Sequence, residues 1–151
     1  MMKELLVSAV GAVGGTIGFA MLVNAPKRTL IPASLTAMLG YVLYLILLKM
    51  IGTSAMTAYF LASTFMSVLC EIQARWMRMP STVFFLSALV PLVPGYTIYR
   101  AMLALVENDG AAAAGAAMEA VQGIAAIAVG AVVASVLFRT FTARKTKRVP
   151  E

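Results

Sequence analysis

The sequence predicts an all-α polytopic membrane protein with five transmembrane helices, the fourth broken at Pro91 to Gly95. Three observations support this prediction. Hydrophobic residues make up 62% of the 151 residues and the mean hydropathy is +0.93, values far from those of soluble domains. The apolar residues form runs of about twenty, the length that crosses a hydrocarbon core of roughly 30 Å. Basic residues separate these runs in a regular alternation. The whole chain is therefore predicted to be a single transmembrane domain.

The apolar runs also place the individual spans. The first is predicted to be retained, because Pro26 stands where a signal peptidase would cleave after Ala25. The second is entered through Pro32, which a helix tolerates in its first turn. The predicted spans, which precede a basic cytoplasmic tail at 139–151, are 5–23, 30–48, 53–70, 82–106 and 116–138.

Span three carries a polar stripe that could line a path through the membrane. Thr57, Thr64 and Glu71 are spaced by seven residues, and Ser67 falls on the same helical face. Glu71 is the one ionisable residue of the stripe, which makes it a candidate for proton coupling. The alternative is an ordinary helix-end ion pair, because Glu71 and Arg75 stand at positions i and i+4.

The interruption of span four is the most unusual feature of the sequence. Pro91 and Pro94 have no N–H group, and Gly95 adds backbone freedom at the same point. The residues of the span before Pro91 rise about 14 Å as a helix, which places the break near the bilayer midplane. A second half-helix would then aim the N–H groups of Gly95, Tyr96 and Thr97 into the protein, where they suit a carboxylate. The alternative is a proline kink that only shapes packing.

Arg100 lies about 9 Å beyond this break at helical rise, toward the outer face. An arginine inside a span costs a few kcal/mol and is by default a functional candidate. It could pair with a carboxylate of the solute or with Glu119. The alternative is that its long side chain reaches the outer headgroups.

Charge between the spans predicts the orientation in the membrane. Cytoplasmic loops carry the excess of Lys and Arg, and nine of the twelve basic residues follow spans one, three and five. The N-terminus is therefore expected outside and the C-terminus in the cytoplasm. The tail is expected to anchor this topology and to meet anionic headgroups, with recognition of a specific lipid or protein as the alternative. The excess of basic residues is not expected to bind nucleic acid, because in so hydrophobic a chain it reports on orientation.

Small residues mark two faces on which another helix could pack closely. Span one contains two GxxxG pairs, and span five has small residues at the same four-residue spacing. We expect these faces to pack inside the chain or to form a seam between subunits. The residues concerned are Gly11, Gly14, Gly15, Gly18, Ala126, Gly130 and Ala134.

The residue types argue against catalysis. The sequence has no histidine, the commonest general base and metal ligand at neutral pH, and one cysteine, Cys70. We therefore expect no enzyme activity, no metal site and no cofactor.

Two stretches resemble the threonine/serine exporter family, specifically its small-subunit type, which corresponds to the carboxy-terminal five-span half. They are "GFAMLVNAPKRTL" and "EIQARWMRMPSTVFFLSALVPLVPGYTIYRAM". The resemblance covers nearly the whole chain. It singles out Asn24, Pro26, Arg75, Pro80, Pro91, Pro94, Gly95, Tyr99 and Arg100.

The resemblance implies a subunit of a proton-driven exporter in the bacterial cytoplasmic (inner) membrane. It also implies a larger partner subunit, with a soluble region and five spans. Threonine or serine is the expected solute, and the residues expected to bind it are Pro91, Pro94, Gly95, Tyr96, Thr97, Tyr99 and Arg100, with Glu71 as the coupling candidate. The alternatives are export of succinate or another dicarboxylate, and a subunit that only scaffolds its complex.

Overall fold

The computed structural model describes residues 2–146, and the side chains of all of these except 2, 4, 139 and 141–146. Most of the predicted basic tail therefore lies outside the described side chains. All regular secondary structure in the described part is helical, and it has no strand. Its helices are α1 (Met2–Leu22), α2 (Lys27–Ile46), a π-helical turn (Leu47–Ile51), α3 (Ala55–Met77), α4 (Ser81–Ala88), a 3-10 turn (Val90–Leu92), α5 (Gly95–Val106) and α6 (Gly110–Thr146).

Four helices are long and apolar enough to cross a membrane. They overlap predicted spans one, two, three and five, and they cover Leu5–Leu22, Lys27–Ile51, Ala55–Met77 and Gly110–Phe138. The fourth predicted span falls on α4 and α5, each too short to cross alone. The all-helical, multi-pass prediction is thus confirmed, whereas a count of five spans is not.

Three helices end in the same backbone motif. A residue with positive φ follows the helix, and the next N–H group bonds back to a carbonyl of the last turn, as in a Schellman cap. At the end of α1, Asn24 has φ 56° and the Ala25 N–H donates to the Ala20 carbonyl at 2.8 Å. Arg78 and Asn108 repeat this geometry after α3 and α5. These caps satisfy carbonyl groups at the helix ends.

The prediction that Pro32 lies in the first turn of its helix is wrong, because α2 begins earlier. The helix begins at Lys27, three residues before the predicted start of span two, and the Thr29 hydroxyl donates to the Pro26 carbonyl at 2.8 Å. Pro32 therefore lies in the second turn of α2, where its missing N–H removes one helical hydrogen bond. The Gln73 amide donates to the Pro32 carbonyl at 3.0 Å, which ties α3 to α2 at this point.

The central helix is α3, which packs against α2, α4 and α6. Small residues bring these helices close together, as expected where the hydrophobic effect does not drive association. A Cβ atom on Gly130 of α6 would overlap Ser63 and the Phe60 carbonyl of α3. A Cβ atom on Gly40 of α2 would likewise overlap Met66. The small-residue face of span five is therefore used inside the chain.

The glycine face of α1 is different. The face that α1 buries against the chain carries Ala12, Thr16 and Ala20. The four glycines are exposed, and a Cβ atom on any of them would meet no atom within 4 Å. The expectation that these GxxxG pairs pack inside the chain is wrong, because a neighbouring face of the same helix makes those contacts.

The two halves of the broken helix have different neighbours. α4 packs against α1, α2 and α3, whereas α5 packs mainly against α6. The break thus lies where the chain passes from one group of helices to another.

Candidate functional site

The chain leaves helical geometry between Ala88 and Gly95, as the two prolines predicted. α4 has eight residues and α5 has 12, which rise about 12 and 18 Å at 1.5 Å per residue. The intervening segment forms a single 3-10 turn, Val90–Leu92. An interruption of this kind leaves polar backbone groups inside an apolar protein.

Fewer N–H groups are free at the start of α5 than the three that the sequence predicted. The Gly95 N–H donates to the Val93 carbonyl at 2.7 Å, so it is not free for a ligand. The first helical bond runs from the Ile98 N–H to the Pro94 carbonyl at 3.1 Å, and no side chain caps this end. The N–H groups of Tyr96 and Thr97 therefore lack a helical acceptor and mark the positive end of the α5 dipole.

A cavity of about 400 Å³ opens beside this helix end and lies between α2, α3, α5 and α6. We call it the main cavity. Its volume falls in the usual range for sites that hold small organic molecules. Six of the seven predicted binding residues line it, namely Pro91, Pro94, Gly95, Tyr96, Thr97 and Arg100. Tyr99 is the exception, because it does not line the cavity and its side chain is 59% exposed.

Two opposite charges line the main cavity. Arg100 of α5 lies with its guanidinium carbon 6.0 Å from the centroid of the Tyr96 ring. Glu119 of α6 lines the same cavity. Both residues are exposed in the isolated chain, so the cavity is open on the side of α5 and α6. Arg100 thus lies at the wall of the cavity, and its role in binding a solute stays a prediction.

Three tyrosines that the sequence analysis missed form another part of the wall. Tyr41, Tyr44 and Tyr59 line the cavity, and their rings are stacked in series. The centroids of Tyr41 and Tyr44 are 6.0 Å apart, and those of Tyr44 and Tyr59 are 4.6 Å apart. The available signal was the pair of tyrosines three residues apart inside a span, because tyrosine is otherwise enriched at the two membrane interfaces.

Glu71 lies outside the main cavity. Its carboxylate accepts a hydrogen bond from the Ser81 hydroxyl at 3.0 Å. The Arg75 guanidinium instead stacks over the Phe138 ring at 4.7 Å. The geometry therefore does not support the alternative of a Glu71–Arg75 ion pair.

The polar stripe of α3 does not form one path. Thr57 lies in the N-terminal cap of the helix, where its N–H donates to the Ser54 hydroxyl. The Thr64 hydroxyl donates to the Phe60 carbonyl at 2.7 Å and approaches the Gly130 carbonyl at 3.3 Å, so it belongs to the α3–α6 contact. Ser67 and Glu71 line a second, smaller cavity.

Among the described residues, no group of three or more His, Cys, Asp or Glu side chains could hold a metal ion. The residues that line the main cavity offer hydrogen bonds, charge and aromatic faces.

Comparison with known protein families shows to which family the chain belongs. The family model described as threonine/serine exporter, ThrE, matches residues 8–137. The chain belongs to the threonine/serine exporter family. The part that matches the threonine/serine exporters reaches from α1 into α6 and includes the whole break and every residue of the main cavity. No solved structure matches the chain. The resemblance seen in the sequence motifs is thus confirmed, and the chain is a multi-pass membrane protein of an exporter family.

Proposed function

We propose that this chain is one subunit of an exporter of threonine and serine in the bacterial inner membrane. The observation that carries the proposal is the main cavity at the broken helix, where unpaired N–H groups and a guanidinium line a space of about 400 Å³. Non-helical backbone at membrane depth persists where it is buried in protein or lines an aqueous cavity. The break is therefore best explained as part of a path for a polar solute.

The carboxylate of the solute is proposed to bind at the start of α5. The N–H groups of Tyr96 and Thr97 are available there, and the helix dipole favours negative charge at this end. Arg100 lies one turn further along α5 and lines the same cavity. Its guanidinium would add a charge-assisted hydrogen bond.

Glu119 and the tyrosines favour an amino acid over a dicarboxylate. An amino acid carries an ammonium group beside its carboxylate. Glu119 would attract this ammonium, and the tyrosine faces would add cation–π attraction. A second carboxylate would instead meet the negative charge of Glu119, a like-charge contact that disfavours dicarboxylates. We therefore place threonine and serine ahead of succinate.

We further propose that α4 and α5 together make a fifth crossing of the membrane. Laid end to end with the 3-10 turn between them, these helices would extend about 36 Å, enough for a core of roughly 30 Å. Five crossings place the N-terminus outside and the basic C-terminus in the cytoplasm. The chain is proposed to act without enzymatic chemistry.

The open side of the main cavity supports a partner. Arg100 and Glu119 are exposed in the isolated chain although they carry the two charges of the cavity. Charged side chains within a membrane usually face protein or water. We propose that a larger subunit, with a soluble region and five further spans, closes this side and that the proton gradient drives export, with Glu71 as the coupling candidate.

An efflux assay tests the function. Cells that express this chain, the larger subunit or both are loaded with a threonine-containing peptide, and export of threonine, serine and succinate is measured. We expect rapid efflux of threonine and serine when both subunits are present. Succinate efflux alone would indicate a dicarboxylate exporter. No gain for any solute, with both subunits detected in the membrane, would leave the scaffold as the better explanation.

A further inference from the structure

A second cavity of about 70 Å³ lies between α3, α4 and α6. We call it the hydroxyl cavity. It shares no lining residue with the main cavity. Along α6, Glu119 of the main cavity and Ala131 of the hydroxyl cavity are separated by about 18 Å at helical rise. The two cavities are therefore distinct sites at different depths.

Oxygen-bearing side chains from three helices line the hydroxyl cavity. One carboxylate and four hydroxyl-bearing side chains are among its lining residues, which are Glu71, Ser67, Ser81, Thr82 and Ser135. Cys70, Phe85 and Ala131 complete the wall. Hard cations prefer oxygen ligands of this kind, and thiols suit softer metals.

Ser67 carries a polar group in this cavity whose hydrogen-bonding capacity the protein does not satisfy. Its side chain is only 4% exposed, and its hydroxyl oxygen has no hydrogen-bond partner among the described residues. A buried hydroxyl left without a partner destabilises the fold, because it has lost its hydrogen bonds to water. Serines elsewhere on α3 avoid this cost, since the Ser63 hydroxyl donates to the Phe60 carbonyl at 3.0 Å. A ligand in the cavity would give the Ser67 oxygen a partner.

The negative charge of Glu71 also calls for a cation. The nearest basic residue along α3, Arg75, directs its guanidinium to the Phe138 ring. Ser81, which donates to Glu71, is the first residue of α4. An ionised carboxylate in a partly dry site is stable only when it is paired.

The size and charge of the hydroxyl cavity favour a small monovalent cation. A volume of about 70 Å³ holds an ion with a few waters but falls well below the roughly 300 Å³ at which sites for small organic ligands begin. A single carboxylate neutralises one positive charge, whereas a divalent ion would keep an uncompensated charge. A proton would need the carboxylate alone and would leave Ser67 without a partner.

We propose that the hydroxyl cavity is a Na⁺ site, in which Glu71 supplies the charge and Ser67, Ser81 and Ser135 supply hydroxyl oxygens. Na⁺ and a proton on Glu71 exclude each other, so the site is compatible with a proton-driven cycle. Binding to this site does not depend on the proposed export function, because it can be measured on the chain without any solute.

Binding of ²²Na⁺ to the purified full chain in detergent tests the proposal. We expect saturable binding of one Na⁺ per chain, and a rise in the midpoint of thermal unfolding with NaCl that choline chloride at the same ionic strength does not reproduce. Glu71→Gln keeps an acceptor for Ser81 but removes the charge, and should abolish binding. Ser67→Ala should weaken binding at least threefold.

Ser63→Ala is the matched control, because Ser63 is a buried serine one turn away whose hydroxyl already has a partner. It should bind Na⁺ like the native chain. If Glu71→Gln does not fold, Ser67→Ala and Glu71→Asp still test the Na⁺ site, because both substitutions should alter the affinity for Na⁺. Equal stabilisation by Na⁺ and choline, or unchanged binding in Ser67→Ala, would overturn the proposal. Export in the efflux assay without Na⁺ binding would reject this site and leave the exporter function standing.

Discussion

Arg100 is the cation of the main cavity, and its removal should weaken capture of the solute carboxylate. We expect Arg100→Gln to lower threonine efflux about tenfold or more, because a hydrogen bond to a charged group contributes roughly 1.5 to 3 kcal/mol. The level of the protein in the membrane should not change. Arg28→Gln provides the control, since Arg28 is an exposed arginine outside the cavity. Normal efflux in Arg100→Gln would return this side chain to the headgroup region.

Glu119 should determine which solutes are accepted. If it pairs with the ammonium of an amino acid, Glu119→Gln should reduce threonine efflux while relieving the repulsion of dicarboxylates. The ratio of threonine to succinate efflux should therefore fall, about tenfold for the loss of one charge-assisted hydrogen bond. Competition between the two solutes in one preparation measures this ratio directly. An unchanged ratio would show that Glu119 does not contact the solute.

Individual residues also show what the sequence could reveal about the site. Proline and glycine act through the local backbone, so Pro91, Pro94 and Gly95 could be read directly from the sequence. The position of Tyr41, Tyr44 and Tyr59 in the cavity wall depends on how α2 and α3 pack. Periodicity alone does not show which face of a helix meets a cavity. The family resemblance singles out Tyr99, yet this side chain does not line the cavity and is exposed on another face of α5.

The interruption between α4 and α5 can be tested as a unit. Pro94→Ala together with Gly95→Ala restores the missing N–H and favours a continuous helix. Continuous helix would give the N–H groups of Tyr96 and Thr97 helical acceptors and remove them from the cavity. We expect threonine efflux to fall strongly at unchanged membrane levels. Pro32→Ala is the control, because it removes a helix proline far from the cavity. Full export in the double variant would make the break purely architectural.

The contact between α3 and α6 depends on the absence of a side chain at Gly130. In Gly130→Val, the new side chain would overlap Ser63 and the Phe60 carbonyl, which we expect to destabilise the chain by roughly 1 to 3 kcal/mol. Gly14→Val should be tolerated within the chain, because nothing lies near that position. Thermal unfolding in detergent compares the two variants. Equal midpoints would contradict the close packing of α3 and α6. Both small-residue motifs can be seen in the sequence. Only the packing shows that the face of α6 contacts α3 while the glycine face of α1 is exposed.

The number of crossings can be measured on the whole molecule. If α4 and α5 together cross the membrane, cysteines placed before α4 and after α5 should face opposite sides. In a Cys70→Ala background, Arg78→Cys should react with a membrane-impermeant thiol reagent from the cytoplasm and Glu107→Cys from outside. Lys27→Cys is expected to behave like Arg78→Cys and serves as the reference. Labelling of Arg78→Cys and Glu107→Cys from one side would indicate a segment that enters the membrane and returns.

The overall architecture was the most predictable property of this protein. Runs of apolar residues about as long as the bilayer is thick leave few alternatives, so four of the helices overlap the predicted spans. The broken span was harder to count, since neither α4 nor α5 reaches across the bilayer alone. The separation of the main cavity from the hydroxyl cavity could not be predicted, because it arises from the packing of residues far apart in sequence.

The unpaired N–H groups of Tyr96 and Thr97 have a consequence for hydration. In hydrocarbon each such group would cost several kcal/mol, so an empty main cavity must be wet. By volume it could hold on the order of ten water molecules. An arriving solute would therefore displace water. Its affinity would depend on how far its own contacts with the cavity exceed those of the water that it replaces.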